Sequence, residues 1–482
     1  MSNTFRMGFA RINIDPPLGI AMRGYYKPRY ASSILSSLYI NAAAFSMQDA
    51  QTPEKRWDPD TGEYRETKRS GSNANAVVVL SVDNCGLTAR ECGQFRAYIA
   101  QGTGLRAENI VLHSTHTHTG PYTDSGDSSH FADLQKEEID TYRSFLQSRL
   151  RDAAKMALAD MKPTKMGVIT GQAPDRVAYI RRYKMKDGST MTCPPIADPN
   201  IDHPIGEPDP RVHLLRFDRA GAESIVIMNY GLHADCLNLD AVSADWPGWM
   251  AETFEAAYPG TKVMFLNGCE GDVGSTHVFP EGGDMNDTKI SFDNEMKSEG
   301  MARFVGRALA GTLLQIYDKA EFVDVDEIAV LCHTVTVPAN TATAEQLALA
   351  KEYHALHMAG RDSEIPYTAM ELTTVVAEAE RMVRYENGPD HFDLPLTGIR
   401  LGPVALVGIP GEPFTDIGRQ LKNAEGWKCI MPMCLTNGSE GYFPMMDAFA
   451  EGGYEARSSR YRGGVAEAII EGGIRLLNAL RS

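Results

Sequence analysis

His116 and His118 stand two residues apart in the run Ile-Val-Leu-His-Ser-Thr-His-Thr-His-Thr-Gly-Pro at 110–121. In an extended segment, side chains at i and i+2 leave the same face of the chain. Two imidazoles so placed, with threonines beside them to hold the second ring nitrogens, make a ligand pair for zinc or a similar divalent ion. A polar strand end facing solvent is the plainer reading of the same residues. Other reactive groups stand in similar positions, each just past an apolar run. His233 follows Ile-Val-Ile-Met-Asn-Tyr, and alone such a histidine is more often a satisfied core residue than a ligand. Asp245, ahead of Pro247, has the position of a helix N-cap. The run at 263–275 ends in Asn-Gly-Cys-Glu-Gly-Asp-Val-Gly-Ser, whose glycines at 268, 271 and 274 would let backbone N–H groups approach an oxyanion. Glu270 and Asp272 there could carry protons, orient a ligand or cap a turn. Glu412 lies between an apolar run and Pro413, where an acid favours a helix N-terminus whatever else it does. Arg181 and Arg182 adjoin, and paired guanidiniums suit a carboxylate or phosphate as readily as a solvated strand.

Groups this far apart in sequence meet only if a sheet gathers its strand ends, and in open α/β sheets ligands bind beyond the carboxyl ends of strands. Apolar β-type runs bounded by turn residues occur at 76–82, 110–112, 168–170, 224–228, 263–266, 327–331 and 403–407. Most lack polar alternation, which predicts strands covered on both faces. Helical periodicity predicts helices at 137–161, 249–257, 299–317, 344–359, 369–385, 413–423 and 466–480. The fold class expected is α/β, a mixed β-sheet core flanked by helices. The whole of 1–482 reads as one catalytic unit with a helical insertion at about 341–388. Three polar stretches, 49–74, 192–209 and 277–293, read as long loops, the last two in positions where long ordered loops usually serve function.

A chain of 482 residues with 43% hydrophobic and 23% charged residues supports a large buried core. Its net charge of −16 repels phosphate backbones and anionic headgroups, so neither nucleic acid nor a membrane is expected as partner. The expected partner is a small-molecule substrate, and the oligomeric state is left open. The eight cysteines are scattered without a CxxC pair and read as buried thiols in a reducing compartment. The N-terminus shows no apolar secretion segment, and no apolar run reaches the roughly 18 residues of a membrane span. A cytoplasmic location is the expectation.

The order HTHTGP, a strand-end histidine, NGCEGDVGS, PGEP and GYF…GGYEA resembles the neutral ceramidase superfamily, as do MGFARINIDPPLG at the N-terminus and Asp175-Arg-Val-Ala-Tyr-Ile. The resemblance runs from about Met7 to Tyr461. It implies a zinc-dependent amidohydrolase, with His116, His233, Glu412 and Tyr442 as metal ligands. Manganese or iron(II) would accept the same donors. It further implies that His118, Arg176 and Tyr454 line the site, and that the family's C-terminal immunoglobulin-like domain is missing, since the sequence ends in a helical pattern. The family carries a serine straight after GDV, whereas here Gly274 occupies that position and Ser275 follows, so these two are the expected substrate contacts. That departure and the missing export signal turn the expectation from ceramide to a small soluble substrate, anionic if Arg181 and Arg182 grip it. The expected chemistry is attack of metal-activated water on an amide or ester carbonyl. His118 would move the proton, with Asp272 as a further proton carrier, and Tyr454 or backbone N–H groups of 271–274 would hold the oxyanion. The competing readings are a true ceramidase, a metal-dependent lactonase or esterase, and a non-catalytic binding protein with a structural metal.

Overall fold

The computed structural model describes residues 4–26, 29–47, 54–58, 63–67, 75–126, 135–279 and 297–481. The larger sheet contains β1 (Phe5–Asn13), β2 (Tyr39–Met47), β3 (Val77–Val82), β4 (Ile110–Ser114), β5 (Lys162–Gln172), β6 (Arg211–Arg219), β7 (Ser224–Tyr230), β8 (Thr261–Asn267) and the short β9 (Glu321–Val323). Their spatial order is β8-β7-β6-β5-β1-β2-β3-β4, with β9 alongside β5. The pairs β3/β4 and β7/β8 are parallel, and the other neighbours are antiparallel. A second sheet holds β10 (Ile328–Pro338), β11 (His391–Leu401), β12 (Val404–Gly408) and β13 (Cys429–Met433), the last two parallel.

The sheet strands are apolar on both sides because both sides are covered. Along β3, Val77 and Val79 face the second sheet, while Val78, Leu80 and Val82 face helices. The two sheets pack against each other through Phe5, Phe45 and Phe217 of the first and Leu401, Leu406 and Met431 of the second. The outer face of the first sheet is covered by α1 (Ala89–Thr103), α2 (Lys136–Ala159), α3 (Asp245–Ala257) and α4 (Glu299–Ile316). Between the paired strands β10 and β11 lie α5 (Ala344–Met358) and α6 (Ala369–Arg384), which pack on each other through Ala350, Ala379 and Met382. The outer face of the second sheet carries α7 (Thr415–Lys422) and α8 (Val465–Arg481). Four layers result, helix, sheet, sheet and helix.

The expected fold class holds, and every predicted strand and helix exists with shifted ends. Several elements had no signal in the sequence. The centre of β2 is Asn-Ala-Ala-Ala-Phe, which favours a helix locally, yet pairing with β1 and β3 makes it a strand. In α1 the buried stripe is short, Cys92, Phe95 and Ile99 at i, i+3 and i+7, and its ends are set by a Thr88/Glu91 capping box and Gly104 at φ 73°. The expected loop at 49–74 contains paired strands Glu54–Asp58 and Glu63–Thr67, its other positions lying outside the described residues. In the stretch at 192–209, Ile201–Pro204 forms a strand on Arg182–Met185, and positions 280–293 of the third loop lie outside the described residues. Among the described residues, no helix is long and apolar enough to cross a membrane. All eight cysteines are free thiols, and only Cys332 is exposed.

Phe217 is fully buried between the sheets, with its ring 5.7 Å from Phe45 and 6.3 Å from Phe5. Phe217→Ala should cost about 3–5 kcal/mol, read as a lowered urea midpoint with secondary structure retained under native conditions.

Candidate metal centre

Each centre residue follows the carboxyl end of a strand that belongs to a parallel pair. His116 comes after β4, His233 after β7, Glu270 after β8, Glu412 after β12 and Tyr442 after β13. Backbone and side-chain hydrogen bonds stitch these ends together. Gly268 N donates to Tyr230 O (2.9 Å), Cys434 N to Asn267 O (3.0 Å) and Asn437 N to Leu112 O (2.8 Å). Asn267 N donates to His113 Nε2 at 3.0 Å, joining β8 to β4. Gly271 is required at this crossing, since a Cβ there would stand 2.6 Å from the backbone oxygen of Glu412.

His116, His233, Glu270 and Glu412 bring one ligand atom each within 4.8 Å of one another, and all are buried. His116 Nε2 and His233 Nε2 each lie 3.4 Å from the same oxygen, Glu412 Oε2, which is buried and makes no hydrogen bond of its own. A tetrahedral ion with bonds of about 2.0–2.1 Å separates its donors by about 3.3 Å, so the spacing fits zinc. The outer nitrogens are fixed by carbonyls, which can only accept. His116 Nδ1 donates to Cys85 O at 2.6 Å, and His233 Nδ1 faces Glu270 O at 2.9 Å, Val273 O at 3.0 Å and Glu270 Oε2 at 2.5 Å. Both imidazoles thereby keep Nε2 turned inward as a ligand. Arg181 Nη1 lies 3.2 Å from His233 Nε2, so a cation bound there displaces a guanidinium from that lone pair.

Burial opposes charge on His116 and His233, and Arg181 opposes it further on His233, yet the carboxylates of Glu412 and Glu270 hold both above the ordinary histidine value. Burial likewise opposes the Glu412 carboxylate, but the two imidazoles hold it well below the usual range. The pocket thus demands positive charge, which protons supply in the free chain and a divalent ion can supply in their place. His118, its Nε2 3.1 Å from that of His116, is pushed the other way, since burial outweighs Asp235 and keeps the ring neutral.

The short strand Glu412–Pro413 pairs in parallel with Tyr442–Phe443, setting Tyr442 opposite Glu412. Because those residues are taken into that pairing, α7 begins at Thr415 and Glu412 caps no helix. The Tyr442 hydroxyl bonds Arg181, and burial beside Glu412 pushes its pKa up. Tyr454 stands with its ring 5.5 Å from Tyr442 and its hydroxyl on Tyr26. These tyrosines line a cavity of about 1050 Å³ with His116, His118, Arg181 and Glu412.

Several expected site residues lie elsewhere. Asp272 turns from the cluster, and its Oδ1 accepts from Thr415 N and Thr415 Oγ1, both at 2.8 Å, as a cap for α7. Gly271 N and Val273 N are spent on Pro413 O (2.9 Å) and Glu270 O (2.8 Å), so they offer no oxyanion hole. Arg176 is exposed on a turn at φ 69°, and the arginine at the centre is Arg181 instead. Arg182 does not pair with Arg181 for a ligand: it is buried and donates to Glu451 and to Gly452 O, both at 3.0 Å. Ser275 is buried against Cys236 Sγ at 3.2 Å, and with Gly274 it lines a small cavity whose walls also include Arg181, His233 and Asp235. Asp245 is no helix cap, since it accepts from Cys236 N, Leu237 N and Trp246 N and so pins the loop after His233. The extended-strand argument for His116 and His118 also fails in detail. β4 ends at Ser114, and His116 sits at φ 69°, a turn that still brings both Nε2 atoms inward.

No family profile and no curated protein matches the chain. Among solved structures it is similar to neutral ceramidase from Pseudomonas aeruginosa, with a TM-score of 0.70 at 17% identity, covering 100% of this chain and 75% of that one. A second match, a ceramidase complexed with C2, gives 0.68 at 16% identity, covering 99% and 76%. The chain therefore has a ceramidase-like fold.

The purified protein should bind about one zinc per chain. Glu412→Gln and His116→Ala should lose it on dialysis, whereas Asp272→Asn should keep it, as metal analysis would show. Because both cluster imidazoles hold protons above the ordinary value of about 6.5, zinc affinity should fall from about pH 8 to about pH 6; calorimetry showing a flat profile would contradict the assignment.

Proposed function

We propose that the protein is a metal-dependent hydrolase that cleaves an amide bond in a small, soluble substrate. The observation that carries this reading is Glu412 Oε2, buried without a hydrogen bond and 3.4 Å from two imidazole nitrogens, at the floor of an open cavity. A closed structural site would have no such access, which favours catalysis over a structural metal. His116, His233, Glu412 and Tyr442 would hold zinc, with manganese or iron(II) as substitutes. When bound, such an ion supplies an acidified water and a polarised carbonyl.

The chain's own residues account for the remainder. His118 is neutral, lines the cavity and stands 3.1 Å from His116 Nε2, so it has the position to accept a proton and return it to the leaving nitrogen. The phenol of Tyr454 is protonated, its pKa raised by burial, and serves as donor to the oxyanion. Arg181, fixed by Glu455 Oε1 at 2.7 Å and Gly271 O at 2.8 Å, keeps Tyr442 beside Glu412.

The amide preference rests on the ceramidase-like fold. The cavity walls argue for a polar substrate. Arg23, Arg90, Arg384 and Arg460 line the cavity, and its larger aliphatic side chains are Leu239, Met358 and Met370, too few to sheathe two lipid chains. One wall is built from α5 and α6, through His354, His357 and Glu380 among others, so the helical insertion contributes to substrate choice. The unpaired thiols fit a reducing, cytoplasmic setting.

The test is a panel of N-acyl amino acids, N-acyl anilides, short esters and short-chain ceramide analogues, each with and without chelator. Chelator-sensitive turnover of the soluble amides is expected, and turnover that survives complete metal removal would sink the proposal. His118→Ala should retain zinc and lower kcat by about 10²–10⁴-fold.

A further inference from the structure

Beyond the metal cluster, the second nitrogen of His118 has no partner at ordinary hydrogen-bond length, yet it faces one. Nδ1 lies 3.5 Å from Asp235 Oδ1. Asp235 follows the metal ligand His233 by two residues, so one turn after β7 supplies both groups. His118 N donates to Ala234 O at 3.0 Å, and Arg29 donates to His118 O, which fixes the backbone of each segment against the other. Asp235 itself is gripped from two sides. Tyr25 donates its hydroxyl to Oδ1, and Lys297, whose side chain is 3% exposed, pairs with Oδ2 and bonds the Tyr25 oxygen at 2.8 Å. Gly24 lets this arrangement close, because a Cβ at its φ of +119° would stand 2.7 Å from Cγ of the His118 ring. Tyr25 then meets that ring edge-on at 5.5 Å.

We propose that Asp235 is a positioning residue that holds His118 with Nδ1 protonated and Nε2 turned as a lone pair toward the metal cluster, and that Tyr25 and Lys297 exist to hold Asp235 in that role. The rate consequences rest on the reading of His118 as proton carrier; the tautomer does not. A neutral imidazole carries one N–H, and a carboxylate can only accept, so Nδ1 takes the proton and Nε2 keeps the lone pair. Burial works against an ionised Asp235, but the Lys297 ammonium and the Tyr25 hydroxyl, one on each oxygen, offset that cost. When Nε2 gains a proton, the same carboxylate stabilises the imidazolium without itself accepting it. A buried lysine paired with one carboxylate is weak evidence of stability alone, which favours a role in keeping that carboxylate charged and still.

The experiment uses the full chain labelled with ¹⁵N histidine, zinc-free and zinc-loaded, with the His118 signal assigned by its loss in His118→Ala. The Nδ1-protonated tautomer is expected in the wild type, with a shift toward the other tautomer in Asp235→Asn and restoration in Asp235→Glu. Tyr25→Phe, which removes only a donor to Asp235, should shift the signal less in the same direction, and it serves if Asp235→Asn does not fold. Zinc affinity of Asp235→Asn should stay within about threefold, since no ligand is lost. On a short-chain N-acyl p-nitroanilide, kcat should fall about 10–100-fold with little change in KM. In the His118→Ala background the same substitution should have no further effect. An unchanged His118 signal in Asp235→Asn overturns the proposal whether or not the probe is hydrolysed. A shifted signal with no hydrolysis of any probe upholds it and counts against the hydrolase reading alone.

Discussion

A carboxylate oxygen buried between two imidazoles has to be met by positive charge, and the centre is organised around that demand. Glu412 Oε2 has no donor of its own, while His116 and His233 have their outer nitrogens committed to backbone carbonyls. The rings cannot turn away to satisfy themselves elsewhere. Protonated imidazoles can neutralise the pocket, and so can a divalent cation, and the donor spacing of 3.4 Å suits the cation. The second carboxylate, Glu270, deepens the negative potential from behind His233.

Holding that arrangement takes a rigid frame, because errors of a few tenths of an ångström would open or crowd the site. The frame is a set of strand ends locked by hydrogen bonds across two sheets, with an aromatic cluster between the sheets to fix their separation. Its loops are drawn close by glycine where a side chain would collide, at Gly271 against Glu412 and at Gly24 against His118. Three buried polar residues around the centre serve this frame. Asp272 caps α7, Asp245 pins the loop after His233, and Arg182 ties Met446–Glu451 to the site's floor. Asp272, Asp245 and Arg182 are tolerated in the interior because each has fixed hydrogen-bond partners.

Beyond the centre, arginines, histidines and tyrosines share the cavity wall. The helical pair α5 and α6 leaves the second sheet between two fully paired strands and returns to it without disturbing the pairing. Such an excursion can vary in length and sequence without cost to the core beneath it.

The sequence by itself determined which residues could bind a metal and which segments could be strands, because imidazoles, carboxylates and unbroken apolar runs declare themselves locally. His116, His233, Glu412 and Tyr442 were legible as a set only through the ordered motifs that resemble the neutral ceramidase superfamily, since each motif alone also fits a capping or core role. What the tertiary structure decided was direction and partner. Asp272 and Glu270 are two residues apart in one glycine-rich turn, and only the fold sends one to a helix end and the other to the cluster. Arg181 and Arg182 are neighbours where the chain enters the strand Arg182–Met185, and the fold sends one to the centre and the other to Glu451. Asp235, Tyr25 and Lys297 carried no local signal, since the meaning of a buried charge lies in what faces it, and what faces these residues comes from segments tens to hundreds of residues away.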